Sequence, residues 1–197
     1  MKCVSGSFVA ETEVKRSRFI AHLVPYSVFD GLQQQLKEEH PKANHVVYAT
    51  RHINEYGQIV ENSSDDGEPK GCAGQPVLNV LRGVELVDVA ILIVRYFGGI
   101  KLGTGGMVRA YSAAAKAVIA HSELREWQRL VRFPFRSDYT AQRQILYHLE
   151  RLGISPGTPR FEMEEIVWNV EVPNDLLNQL QEKLGRLIRS ERLSPPA

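Results

Sequence analysis

Two cysteines in 197 residues, Cys3 and Cys72, cannot build a disulfide framework, so nothing in the sequence calls for an oxidising compartment. Long apolar runs are scarce as well. VDVAILIV at 87–94 is the longest, contains Asp88, and falls far short of the ~20 residues that cross a bilayer. The opening MKCVSGSFVAETEVKRSRF has no continuous apolar stretch, so no secretory signal is expected and the chain reads as cytoplasmic. Charge of one sign is missing too: 24 Lys and Arg face 23 Asp and Glu, with 14 of each sign ahead of Trp127. That balance excludes coating of polyanions by net charge and leaves only a local patch to bind nucleic acid. The 43% of hydrophobic residues is enough to fold a soluble globule.

The spacing of apolar residues predicts strands over 4–14 and 18–24, separated by the basic KRSR turn, and a helix over 28–39 with Val28, Leu32 and Leu36 on one stripe. A strand follows at 43–50. Gly57 reads as the turn of a hairpin, 62–76 as an exposed, ordered loop, and a short helix follows near 78–81. VDVAILIV reads as a buried strand, and 106–121 as a helix that packs through Met107, Tyr111, Ala114 and Val118. A second pattern begins at Trp127. It gives a strand within 128–136, with Pro134 at an edge or bulge, and a helix capped by Asp138 and ended by Gly153. A strand within 160–172 comes next, then a helix over 173–185 with Leu176, Leu177, Leu180 and Leu184 on its buried stripe, and a return to the sheet over 187–193. The class is α+β, with a larger module at 1–125 and a smaller one at 127–193 whose open sheet two helices cover.

Reactive side chains concentrate in two glycine-rich segments. In SSDDGEP, Asp65, Asp66 and Glu68 form a solvated loop, a recognition surface or, with a divalent cation, a site for phosphate chemistry. Cys72 is a candidate nucleophile, but no spacing identifies its base. His45 and His52 lack a metal-ligand signature, so no cofactor or metal is expected. The second segment, VRYFGGIKLGTGGMVRAY at 94–111, fits neither GxxxxGK[ST] nor GxGxxG. Its glycines, including Gly103, Gly105 and Gly106, permit tight turns, while Lys101 and the amides opening the next helix can receive an anion. Arg95 and Arg109 flank it. Lys15, Arg16 and Arg18 form another basic run, and if the two converge they make a surface for RNA or an acidic protein.

The succession of SSDDGEPKGCAGQP and VRYFGGIKLGTGGMVRAY, with KRSRF at 15–19, resembles the YigZ/IMPACT family over most of residues 5–123. The combination of RYFGG with the later LG and GG carries the specificity. The region after Trp127 looks like the smaller domain of bacterial YigZ-like members. The resemblance implies an N-terminal fold like ribosomal protein S five domain two, a C-terminal ferredoxin-like domain, and a cytoplasmic role in translation or stress regulation. RNA, the ribosome or a translation-associated protein are the implied partners, with no membrane and the oligomeric state left open. The eukaryotic members' additional N-terminal recognition domain is not expected here, so their partner is not carried over.

The matching positions are His45, the DDGEP loop, Arg95 to Gly99, Gly103, Gly105, Gly106 and Arg109. Cys72 stands where the family's GTAG-like loop has threonine, which removes a hydroxyl. A noncatalytic binding protein using this glycine-loop face is the leading expectation. The alternative is a metal-assisted hydrolase of a phosphate-bearing substrate, built on Asp65, Asp66 or Cys72.

Overall fold

A computed structural model describes residues 1–190. It separates into two compact units, Met1–Trp127 and a second that begins at Gln128. The expected return strand at 187–193 extends beyond the described residues.

In the first unit the chain runs β1 (Lys2–Cys3), β2 (Phe8–Val14), β3 (Ser17–Pro25), α1 (Phe29–Glu39), β4 (His45–Ile53), β5 (Ile59–Ser64), α2 (Gly74–Gly83), β6 (Val89–Tyr96), α3 (Thr104–Ala120) and β7 (Arg125–Glu126). Five of the strands form one antiparallel sheet in the order β2-β3-β6-β4-β5, and β1 pairs separately with β7. The apolar run in β6 explains its central place, because a strand covered on both faces needs apolar residues at every position. Val89, Ile91 and Ile93 join Val77 and Leu81 of α2 and Ala114 and Val118 of α3. Ala90, Leu92 and Val94 join Phe29 and Leu36 of α1 on the other face. Continuing this two-residue period carries Arg95 to the α2/α3 side and Tyr96 to the α1 side.

α2 is longer than the four residues expected. Pro76 falls in its first turn, where a missing N–H is harmless. Gly74 opens it against β5, since a Cβ there would stand 2.7 Å from the Ser64 carbonyl oxygen. β5 pairs with β4 from Tyr48↔Ser64 to Ile53↔Ile59, the hairpin expected at Gly57, and its last three residues fall in the segment read as loop.

The second unit runs β8 (Leu130–Ser137), α4 (Gln142–Arg151), β9 (Arg160–Phe161), β10 (Ile166–Pro173), α5 (Leu177–Leu184) and β11 (Arg189–Ser190). Its sheet order is β11-β8-β10-β9, all antiparallel, and with one helix after β8 and one after β10 it is ferredoxin-like. Alternate residues of β8 and β10, among them Phe133, Phe135, Trp168 and Val170, meet Ile145 and Leu149 of α4 and Leu180 and Leu184 of α5. Gly153, at φ +66°, turns the chain out of α4 in the left-handed region that glycine adopts without strain. The α+β class expected from the sequence is the class observed.

Candidate functional site

The two glycine-rich segments meet at the α3 side of the first sheet. Between β5 and α2, the DDGEP loop folds inward at Glu68, which is 8% exposed, so the exposed loop read from composition is buried at that point. Arg95, at the end of β6, is 5% exposed. Its Nη1 donates to Glu68 Oε1, and the Tyr111 hydroxyl of α3 donates to the same oxygen at 2.7 Å. Burial, and then the adjoining Glu68 carboxylate, push the Tyr111 phenol far above its ordinary range, so it stays a donor. Nη1 also reaches Met107 Sδ at 3.7 Å, while the guanidinium lies over the rings of Phe19 and Phe97. The buried Arg95 Nε has no hydrogen-bond partner among the described residues.

His45 completes the group. Its Nδ1 lies 2.7 Å from the Asp66 carbonyl oxygen, which only accepts, so Nδ1 carries the hydrogen. Nε2 is thereby turned toward Glu68 Oε2 at 3.7 Å. Beside these groups lies a cavity of about 400 Å³, lined among others by His45, Glu68, Arg95, Phe97, Lys101 and Thr104. α3 opens at its rim. Gly103 stands at the N-cap with φ +73°, so no side chain caps the helix, and the first turn holds no acidic residue. Helix-opening amides left without a side-chain acceptor, together with the helix dipole, favour an anion.

The remaining candidates separate by geometry. Lys101 and Gly103 line the cavity, and Gly105 and Gly106 belong to the first turn of α3. Arg109 is exposed, and its Nη1 returns to within 3.7 Å of where a Gly105 Cβ would stand. Lys15 and Arg16 form the exposed β2–β3 turn, at φ 48° and 65°. The two basic segments do converge: a Cβ on Gly98 would fall 2.1 Å from the Arg16 carbonyl carbon, so only glycine lets the RYFGG loop lie on that turn. None of Lys15, Arg16 and Arg18 lines the cavity. Arg18 pairs with Glu11 on the neighbouring strand at 2.7 Å.

The hydrolase candidates are engaged elsewhere. Asp65 accepts backbone N–H bonds from Gly71 at 2.8 Å, Ala73 at 3.1 Å and Gly74 at 2.8 Å. Burial alone would raise its carboxyl, but these three donors outweigh burial and hold it below the ordinary carboxylate range. Asp66 Oδ2 accepts the Val46 amide at 2.6 Å. Cys72 packs in the α2/α3 core, with the Lys70 carbonyl 3.9 Å from Sγ. Among the described residues, no three His, Cys, Asp or Glu side chains gather to hold a metal. Sequence reasoning missed the pairing of Glu68 with Arg95 and Tyr111. The one signal for it in the sequence is the alternation along β6, which turns Arg95 inward.

Residues 15–119 match the family model described as the Impact N-terminal domain. An IMPACT family member of Haemophilus influenzae is 42% identical over 112 residues, which cover 54% of this chain and 53% of that protein. The Escherichia coli IMPACT family member YigZ is 33% identical over 132 residues, 64% of each chain. The chain therefore spans between about half and two thirds of these relatives' length. A crystal structure described as that of an hypothetical protein superposes with a TM-score of 0.62 at 23% identity, covering 98% of both chains, and shares the fold.

Proposed function

The chain belongs to the IMPACT family, and on that premise we propose that it is a translation-associated binding protein whose α3-side face engages RNA. The observation that carries this reading is the uncapped start of α3, with Lys101 and Arg109 beside it and Phe97, 45% exposed, at the same cavity. A cationic rim next to an exposed aromatic ring fits single-stranded nucleic acid, because the cations track phosphate and the ring stacks on a base. The near-neutral net charge supports selective binding at this patch. A connection to translation is what the family resemblance implies. The backbone bonds that occupy Asp65 and Asp66 favour binding over hydrolysis, because these carboxylates already serve the loop.

Lys101→Ala with Arg109→Ala tests the face, since both side chains reach solvent at α3 and neither is in the buried group. Ribosome cosedimentation and RNA binding across a salt series are the readouts. The double variant is expected to weaken RNA binding across all sequences and to flatten the salt slope by roughly one unit for each phosphate no longer held. Unchanged binding and slope in a folded double variant would place the RNA surface elsewhere. Preference for an acidic protein over RNA would change the class of partner.

A further inference from the structure

The buried cluster stands at the wall of a cavity, and its arginine keeps one enclosed donor without an acceptor among the described residues. The Arg95 guanidinium donates to Glu68 and Met107 from Nη1, and Nε has no partner although the side chain is only 6% exposed. A buried N–H without an acceptor is costly and rare in folded proteins. Arg95 shares the cavity with Gly103 and Thr104, where the amides of the α3 first turn begin. Lys101 lines the same space. The one carboxylate at the wall, Glu68, already accepts from Arg95 and Tyr111. Cations and amides that lack an acceptor therefore outnumber the acids facing this cavity.

We propose that the cavity bounded by Arg95, Lys101 and the start of α3 is a preformed site for the terminal phosphate of a nucleotide, with Phe97 receiving the base. This rests on the reading of the α3-side face as a nucleic-acid surface and names what the cavity itself holds. A phosphate dianion offers acceptors to several donors at once, and its charge matches the helix start. A volume of about 400 Å³ falls in the range of small-ligand sites. The exposed Phe97 ring at the same wall gives a base its stacking surface. The phosphate can come from a free mononucleotide or from the phosphorylated end of an RNA strand, since both present the same group.

The test is calorimetric titration of the full chain with adenosine 5′-monophosphate, adenosine and inorganic phosphate. Short RNA oligonucleotides with a 5′-phosphate or a 5′-hydroxyl are titrated in parallel. Thr104→Asp is the decisive variant. A carboxylate in the first turn of a helix favours the fold, so the variant keeps its melting temperature while opposing an anion in the cavity. The monophosphate is expected to bind, adenosine to bind weakly or not at all, and Thr104→Asp to weaken the monophosphate by about tenfold or more. Equal binding of adenosine, undiminished binding by Thr104→Asp, or no binding of either phosphate compound to the folded wild type would overturn the proposal. A 5′-phosphorylated strand bound more tightly than the mononucleotide identifies an RNA end, and equal affinities identify a free nucleotide. A phosphoserine peptide bound more tightly than both would also overturn it. Intact monophosphate binding with no ribosome cosedimentation would sink the RNA reading and uphold the cavity.

Discussion

The two units close their cores by different chemistry. The second packs Phe133, Phe135, Ile145, Leu149, Trp168 and Leu180 together, with the Trp168 indole N–H donating to Ser137 Oγ at 2.9 Å. The first unit has the larger apolar core and still buries an ionic pair, Glu68 with Arg95, inside it. Replacing such a pair by apolar residues is often neutral or stabilising, so stability alone is a weak reason to retain it. The pair borders a cavity, whereas the Phe135–Trp168 stack belongs to the apolar core of the second unit. A buried ion pair at a cavity is therefore what sets the core of the first unit apart from that of the second.

The largest expected effect breaks the comparison at its centre. Glu68→Gln removes the negative partner from a buried arginine and should destabilise the first unit by about 3–5 kcal/mol. Glu68→Leu combined with Arg95→Met should recover most of that loss and abolish phosphate binding. The Trp168→Phe background leaves Trp127, in the first unit, as the reporter for urea unfolding. A double variant as unstable as Glu68→Gln would mean that the pair is a structural requirement, and the contrast between the units would fall.

A somewhat smaller effect is expected from Leu149→Ala in the second unit. It removes a fully buried side chain from an apolar core and should cost about 2–5 kcal/mol, set by how far the cavity collapses. Trp168 fluorescence in a Trp127→Phe background reads it. The phosphate affinity of the first unit should not change, and a loss there would show that the second core serves the site.

A third and smaller effect lies in the DDGEP loop of the first unit. Asp65→Asn keeps the shape but not the charge that accepts three backbone amides, and should cost about 1 kcal/mol at neutral pH. The folded carboxyl lies below its ordinary value of about 3.9, so its stabilisation is complete above that pH and is lost as pH falls through the folded value. The gap between wild type and Asp65→Asn should thus shrink from pH 7 to pH 3 in urea titrations. A gap that stays constant would assign the effect to shape alone.

Much of the fold is legible in the sequence because its long elements have clear periods. β6, α3, α4 and α5 follow from their apolar spacing, but two starts differ from the expected ones. α4 begins at Gln142, past a short 3-10 turn that follows Asp138, and Pro173, read as opening the last helix, ends β10, so that α5 begins at Leu177. β5 is legible only through the hairpin turn at Gly57: every residue of IVENSS is exposed or half-buried, and its strand character comes from pairing with β4. β1, β7 and β9 are two-residue pairings that leave no periodic trace. At the site, both glycine segments and Lys101 are visible from the sequence, but Arg95 reads there as one more interface residue. The alternation along β6 turns it inward, but its partner Glu68 stands 27 positions away in sequence, where composition groups it with two acids that are only half-buried. Gly98 reads as a turn residue, whereas it allows close contact with a hairpin turn that no local pattern reveals.

The central place of β6 also sets the order of events during synthesis. β2 and β3 can form a hairpin early, yet the other edge of β3 has no neighbour until β6 emerges, because Pro25 pairs with Val89 and Arg18 with Tyr96. At roughly 5–20 residues per second, that edge waits for several seconds of translation. During that interval Phe19, Ala21 and Leu23, all buried in the finished sheet, have neither their central strand nor α3 to cover them. Arg16 and Arg18 on the early hairpin place charge beside this unfinished edge, a feature that hinders its pairing with another nascent chain.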